Sequence, residues 1–364
     1  RHAGIRTVMI TGDHPETAQA IARELQMLDG GRVVSGRELD GMSDAELAVQ
    51  VEHIVVYARV TAEHKLRVVK AWRARKQIVA MTGDGVNDAP AVRQADIGIA
   101  MGITGTHVTK EASAMVLTDD NFESIVNAVE EGRGIFDNIQ KFVHYLLATN
   151  AGEVLFLFVA ALLGWPVPLL AIQILWINLV TDGLPALALA MEPPEKDIMR
   201  RPPRPPHEPV LSWSQGLRIL WRGSLIAAVA STGFWIVYEN GNLERARTVA
   251  FCIAAFSQLF FAFAFRSPKY TLLELGILSN RHLLGAIVLS CLLQAAVILV
   301  PFLRPILGAS AHLAWEWALV FALSLTPVTL IEVAKLIRSW HRHRRHKLAA
   351  DASPPVPRHT ERHA

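Results

Sequence analysis

Six apolar stretches dominate this chain, near residues 141–163, 168–190, 217–238, 247–265, 283–303 and 314–337. Each reaches the roughly 20 residues that a helix needs to cross the hydrocarbon core of a bilayer. Within lipid every backbone polar group must be satisfied internally, so runs of this kind fold as a bundle of membrane helices. The composition agrees: 51% of the 364 residues are hydrophobic and mean hydropathy is +0.28, too apolar for an ordinary soluble protein of this length. Cys252 and Cys291 both fall inside spans, so no disulfide framework, metal cage or thiol chemistry is expected of them.

The loops orient the bundle. Between the second and third spans stand Lys196, Arg200, Arg201 and Arg204, and between the fourth and fifth Arg266, Lys269 and Arg281. The opposite loops hold only Arg245, Arg247 and Arg304. Positive charge gathers on the cytoplasmic side, so the N-terminal region and the basic tail beginning His341-Arg342-His343-Arg344-Arg345 are expected there. That tail, residues 341–364, reads as disordered and as a membrane-surface feature, not a nucleic-acid site. The chain is therefore expected to be a multi-pass protein of the cell membrane.

Residues 1–135 have a different grammar. Short apolar runs alternate with helical patterns: strands at 5–10, 32–35, 55–58, 78–82 and 96–100, helices at 15–27, 43–51, 62–75 and 88–94. Alternation of this kind predicts a doubly wound α/β domain on a parallel sheet. Such sheets bind ligands at the C-terminal ends of their strands, where this chain places its most distinctive string, Met-Thr-Gly-Asp-Gly-Val-Asn-Asp-Ala-Pro at 81–90. Asp84, Asn87 and Asp88 are hard oxygen donors on a glycine-rich loop, suited to Mg²⁺ and through it to phosphate. A surface turn is the plainer alternative.

The membrane half carries polarity where lipid excludes it. Residues 146–191 hold two acids, Glu153 and Asp182. Asn150 and Glu153 are spaced i, i+3, and Asn178, Thr181 and Asp182 are spaced i, i+3, i+4, each set on one helical face. Gly183 and Pro185 are expected to break the second span, a break that only protein or a polar cavity can accommodate. Ionisable groups at this depth are functional candidates by default, against the alternative of a protonated helix–helix contact. Upstream, Glu123–Glu131 reads as a short helix loosened at Gly132 and Gly134, and Ile135–Leu163 as a rod whose first turns form a stalk.

Taken with Thr11-Gly12-Asp13, Tyr57-Ala58-Arg59-Val60-Thr61-Ala62-Glu63-His64-Lys65 and Ile97-Gly98-Ile99-Ala100-Met101-Gly102, the decapeptide resembles the phosphorylation domain of P-type cation-transporting ATPases, built on the haloacid-dehalogenase fold. The resemblance extends into the spans. Thr149-Asn150-Ala151-Gly152-Glu153 and Asn178-Leu179-Val180-Thr181-Asp182-Gly183-Leu184-Pro185 look like the fifth and sixth helices of calcium-type pumps.

This resemblance implies roles. Asp84 would bind Mg²⁺; Thr11 and Gly12 would hydrogen-bond the transferring phosphoryl group of ATP; Lys65 would neutralise it; Asn87 and Asp88 would orient the loop. Asp13 would follow the phosphate loop as a hinge beside the nucleotide phosphates, and Arg59 would steady the domain. Asn150, Glu153, Asn178, Thr181 and Asp182 would coordinate the transported cation, Ca²⁺ first and Mn²⁺ second. In the fourth span Gln258 stands near where two-site calcium pumps have a carboxylate, which implies fewer ions per cycle, down to one, or counter-transport of a different stoichiometry. A Pro-rich loop, Met191 to Arg204, would dock on the phosphorylation domain.

Part of the family's pattern has no counterpart. The Asp-Lys-Thr-Gly-Thr string that carries the phosphorylated aspartate does not occur in residues 1–364, nor do the nucleotide-binding domain, the actuator domain or the first four membrane helices. The expectation is a C-terminal portion whose partner is the N-terminal portion of the pump, inactive alone. The other readings are a silent or regulatory membrane protein and, less well supported, a tethered phosphatase.

Overall fold

A computed structural model describes residues 1–205, 208–311 and 313–351, with side chains up to His341 in the last helix. The chain divides into two compact units, Arg1–Arg133 with Pro194–Pro209, and Gly134–Pro193 with Val210–Ala364.

The first unit runs β1 (Met9–Ile10), α1 (Pro15–Glu24), β2 (Arg32–Ser35), α2 (Gly36–Asp40), α3 (Asp44–Gln50), β3 (Ile54–Ala58), α4 (Ala62–Ala74), β4 (Ala80–Gly83), α5 (Ala89–Gln94), β5 (Ile97–Met101), α6 (His107–Ala112) and β6 (Met115–Leu117). All pairing is parallel, as the alternation predicts, but the strands form two three-stranded sheets ordered β1-β3-β2 and β4-β5-β6. β3 is central to its sheet and buried along its whole length, which explains its unbroken apolar run Ile54-Val55-Val56-Tyr57-Ala58. β1 and β4 are edges, and Ile10 packs into the same apolar cluster as Met81 and Val69.

Local chemistry sets the boundaries. Pro15 opens α1, where its missing N–H costs nothing. The helix ends at Glu24, short of the expected residue 27, because Gln26 adopts a left-handed backbone at φ +55°. α2, α6 and β6 extend the expected set. The first carries a legible signal, a capping box in which Ser35 and Glu38 satisfy each other's backbone N–H. Residues 194–209 join this unit through Arg133, whose guanidinium donates to the carbonyls of Ile198 and Arg201, both at 2.9 Å, and of Ala3 at 2.8 Å.

The expected stalk is one continuous helix, α7 (Phe122–Leu162), 41 residues or about 60 Å long. Gly132 and Gly134 lie within it without breaking it; a helix interior tolerates each at a cost of about 1 kcal/mol. The remaining elements are α8 (Ala171–Trp176), a π-helical turn over Ile177–Thr181, α9 (Gly183–Leu189), α10 (Trp213–Tyr238), α11 (Leu243–Phe265), α12 (Leu272–Leu275), α13 (Arg281–Leu299) and α14 (Ala314–Asp351).

Among the described residues, six helical segments are long and apolar enough to cross a membrane, at Phe122–Leu162, Ala171–Leu189, Trp213–Tyr238, Leu243–Phe265, Arg281–Leu299 and Ala314–His341. They match the six expected spans. α11 is the central helix of the second unit, with nearly every side chain from Thr248 to Phe265 buried against its neighbours. α14 carries the backbone through the expected tail as far as Asp351; residues 352–364 lie outside the described residues.

Candidate functional sites

In the first unit the motif residues stand at the C-terminal ends of parallel strands. The Thr11 hydroxyl donates to the Asp13 carboxylate at 2.8 Å and accepts from the Asp13 N–H at 3.1 Å, so these two side chains stabilise the turn after β1. The turn is tied to the segment after β3 by Arg59 N–H to Asp13 O at 3.0 Å and Val60 N–H to Thr11 O at 3.3 Å. Arg59 makes this contact from a left-handed backbone, φ +49°, which explains why the residue after β3 matters to the turn. Gly12 and Asp13 are exposed.

A second cluster forms around Asp88. Its Oδ2 accepts from the N–H groups of Asp84 at 3.3 Å and Gly85 at 3.2 Å, and its Oδ1 accepts from Lys65 Nζ at 2.5 Å. Burial raises the Asp88 carboxyl, but the Lys65 ammonium and the two backbone donors outweigh it and hold the carboxyl below its ordinary value. Lys65, expected to face a phosphoryl group, is thus bonded to the residue that shapes the Asp84 loop. Gly83 cannot be replaced without disturbing this arrangement, since an added Cβ would lie 3.1 Å from Asp88 Cγ and 3.0 Å from Val92 Cγ2. Two threonines that sequence reasoning missed complete the loop: Thr106 N–H donates to Asp84 O and Thr109 Oγ1 to Gly85 O, both at 2.8 Å.

Asp84 and Asn87 remain exposed. Among the described residues no three acidic, histidine or cysteine side chains gather as a metal cage. One exposed carboxylate on a loop with fixed amides fits Mg²⁺, which keeps several waters and binds through one or two carboxylates plus phosphate oxygens.

The second unit gathers the membrane polar residues around Glu153, which is buried at 5% exposure. Glu153 Oε2 accepts from Asn178 Nδ2 at 3.1 Å and Oε1 from Gln258 Nε2 at 3.0 Å. Asp182, fully buried, accepts at Oδ1 from the Tyr145 hydroxyl at 3.1 Å. Thr149 and Tyr145 lie on the same face of α7 as Glu153, at i, i+4 and i, i+8 spacing, and both are fully buried. Sequence reasoning passed over these two.

The helix break is a π-helical turn, and it precedes Gly183. Asp182 N–H reaches back five residues to Ile177 O at 2.9 Å, and Ser290 of α13 donates to Val180 O at 3.1 Å. The widened turn positions Asn178, Thr181 and Asp182, while Thr181 Oγ1 donates to Ile177 O at 2.9 Å. Gly183 and Pro185 then begin α9, where proline's absent N–H falls in the first turn and breaks nothing. Asn150 is not part of the cluster: its side chain is exposed and bonds Leu146 O of its own helix at 2.8 Å.

Two oxygens in this cluster, Asp182 Oδ2 and Gln258 Oε1, are buried with no hydrogen-bond donor among the described residues. Buried acceptors without donors are costly, and a cation would satisfy both. No lysine or arginine among the described residues bonds Glu153 or Asp182.

Comparison with known proteins agrees with both halves. Residues 166–337 match the family model described as cation transporting ATPase, C-terminus, and residues 1–96 the model for haloacid dehalogenase-like hydrolases. The chain is 49% identical over 341 residues to a protein named calcium-transporting ATPase from Bacillus subtilis (strain 168), covering 93% of this chain and 38% of that protein. It is 42% identical over 335 residues to a probable cation-transporting ATPase F of Mycobacterium tuberculosis, covering 90% of this chain and 37% of the relative. A third relative, an endoplasmic reticulum calcium ATPase of Aspergillus fumigatus, is 39% identical over 373 residues, again covering 38% of its length. The chain thus spans about two fifths of the length of the curated relatives it matches. With a parallel α/β unit, six spans and matches at both ends, it belongs to the P-type cation-transporting ATPases.

Proposed function

We propose that this chain forms the C-terminal portion of an ATP-driven pump for Ca²⁺, with Mn²⁺ as the second choice. It would combine with an N-terminal portion that carries the phosphorylated aspartate. The observation that carries the reading is the pair of donorless oxygens, Asp182 Oδ2 and Gln258 Oε1, beside the buried carboxylate of Glu153. Hard oxygen ligands without a paired basic residue suit a divalent cation as cargo. The names of the relatives support the choice of Ca²⁺. Gln258 contributes an amide instead of a charge, which supports one ion per cycle.

In the first unit, Mg²⁺ at Asp84 would supply charge neutralisation on phosphoryl oxygens. The chain's own contribution is positional. Asp88 fixes the Asp84 and Gly85 amides, Lys65 fixes Asp88, and Asp13 aims the Thr11 hydroxyl. The distribution of loop charge supports a cytoplasmic first unit in a cell-membrane protein.

The deciding experiment is phosphoenzyme formation from radiolabelled ATP, with and without Ca²⁺, using this chain alone and then together with the N-terminal portion. Labelling only on complementation and only with Ca²⁺ is the expected result. No label in either arrangement, despite correct membrane insertion, would transfer the reading to a non-catalytic membrane partner.

A further inference from the structure

One end of the helical bundle holds positive charge that the cation site does not use. α10 and α11 are antiparallel neighbours joined by a short connection, so the start of α10 and the end of α11 share an end of the bundle. α14 reaches the same end, because Lys335 Nζ donates to Ala264 O of α11 at 2.8 Å. There Lys269, Lys335, Arg338, His341 and Pro268 line a cavity of about 300 Å³, and among the described residues no carboxylate stands in its wall. Nearby, the Arg222 guanidinium lies 4.6 Å from the Phe265 ring centroid, with Arg218 and Arg338 as its charged neighbours.

Lys335 has a partner in Glu332, at 2.7 Å. Arg218, Arg222 and Arg338 differ: among the described residues none of them forms an ion pair or a hydrogen bond. Three guanidinium groups held close without an acceptor repel one another, and an anion would relieve that repulsion. Guanidinium groups match phosphate oxygens in particular.

The surroundings say which phosphate. Between the basic side chains, α14 exposes Val333, Leu336, Ile337 and Trp340, and α10 exposes Leu217 and Trp221. A free anion has no use for such neighbours, whereas acyl chains beside a headgroup do. We propose that this basic cavity binds the phosphate headgroup of an anionic phospholipid, its acyl chains lying on the exposed apolar faces of α10 and α14. The location fits a leaflet in which basic residues between membrane helices hold acidic headgroups.

The test is lipid retention by the full chain, purified in mild detergent and exchanged into nanodiscs of phosphatidylcholine containing either 10%, roughly, of phosphatidylglycerol or none. Native mass spectrometry counts the lipid that remains on release. Preferential retention of phosphatidylglycerol over phosphatidylcholine is expected, weakened about fivefold by Arg338→Gln and again by Arg218→Gln, and kept by Arg338→Lys. Both arginines are exposed, so these variants leave the fold intact. Equal retention of the two lipids, or no response to the glutamine variants, overturns the proposal. A competition arm with inorganic phosphate separates the sources: displacement of bound phosphatidylglycerol by millimolar phosphate would assign the site to a free anion and overturn the lipid assignment.

Discussion

Gln258 donates its side-chain amide to Glu153, with Nε2 standing 3.0 Å from Oε1 in the buried centre of the helical bundle. The bond orients the amide, leaving Gln258 Oε1 buried with no donor among the described residues. One neutral side chain therefore steadies a carboxylate and presents an acceptor. On the proposed function, Glu153→Gln should weaken Ca²⁺ binding by about 100-fold, which corresponds to about 2.7 kcal/mol. Gln258→Glu should raise the transport ratio above one ion per ATP. Both are read from Ca²⁺ uptake and ATP turnover in the complemented pump; a ratio of two with Gln258 in place would contradict the one-ion reading.

How much of this was legible follows from the kind of signal each feature leaves. The spans, and the carboxylates inside them, stand out because lipid penalises exceptions severely. Spacing alone placed Asn150 and Glu153 on one face, yet the chain buries Thr149 and Tyr145 with Glu153 and turns Asn150 outward. A helix face is about 100° wide, and only packing against α10, α11 and the π-helical turn decides which flank is inside. The π turn leaves no legible trace, since its extra residue shifts the pattern only over α9, whose seven residues are too few to establish a period. In the first unit, the Ser35 and Glu38 capping box was readable, whereas β6 is three residues long and too short to establish any period.

Lys65 and Asp88 make a strong case for a stability measurement, since their side chains are 18% and 8% exposed. Lys65→Met should leave Asp88 buried, unpaired and still capping the Asp84 loop, at a cost of about 3 kcal/mol. Lys65→Arg should retain most of the stability. Because the folded Asp88 carboxyl is held low, its contribution is complete above the unfolded value and disappears as pH falls through the folded one. Thermal melts of the complemented protein at neutral pH and at about pH 3 would show the Lys65→Met penalty shrinking in acid. An unchanged penalty at both would remove the ion pair from the account.

Asp120 provides an independent pH probe. Its carboxyl accepts from Ile103 N–H at 3.0 Å and Thr104 N–H at 2.7 Å, bonds that hold it down to about 2. The sign follows directly: with an unfolded value of about 3.9, the stabilisation is present above that pH and lost as pH falls toward 2. Asp120→Asn should abolish that segment of the acid transition. The side-chain carboxyl carbon, followed by NMR, should titrate near 2; titration near 4 would mean that the two amide bonds do not form in solution.

The cation cluster also depends on how closely α10 approaches α7. At Gly223 an added Cβ would lie 2.8 Å from Ala148 O and 2.9 Å from Gly152 N, one residue before Glu153. Gly223→Val therefore forces the helices apart, at about 1–3 kcal/mol for overpacking, and moves Glu153 with α7. Reduced Ca²⁺ affinity together with a lowered melting temperature is expected. A stable protein with unaltered Ca²⁺ binding would show that the close approach does not position Glu153.

The last prediction concerns the two sheet edges. β1 pairs with β3 on one side and β4 with β5 on one side, yet Ile10 of β1 and Met81 of β4 belong to one apolar cluster. Both edges end in the loops that carry Thr11 and Asp84, the two residues proposed to act on one phosphoryl group. On the proposed function a strand from the N-terminal portion runs between them, satisfying both edges and delivering the aspartate to the loops. Backbone groups left buried and unpaired cost about 1–3 kcal/mol each, so a fragment of residues 1–135 should melt broadly and without cooperativity. Addition of the N-terminal portion should sharpen the transition and slow amide exchange at Met9, Ile10 and Ala80–Gly83 in particular. A cooperative transition and a dispersed amide spectrum from the fragment alone would sink the idea, because the edges would then need no strand.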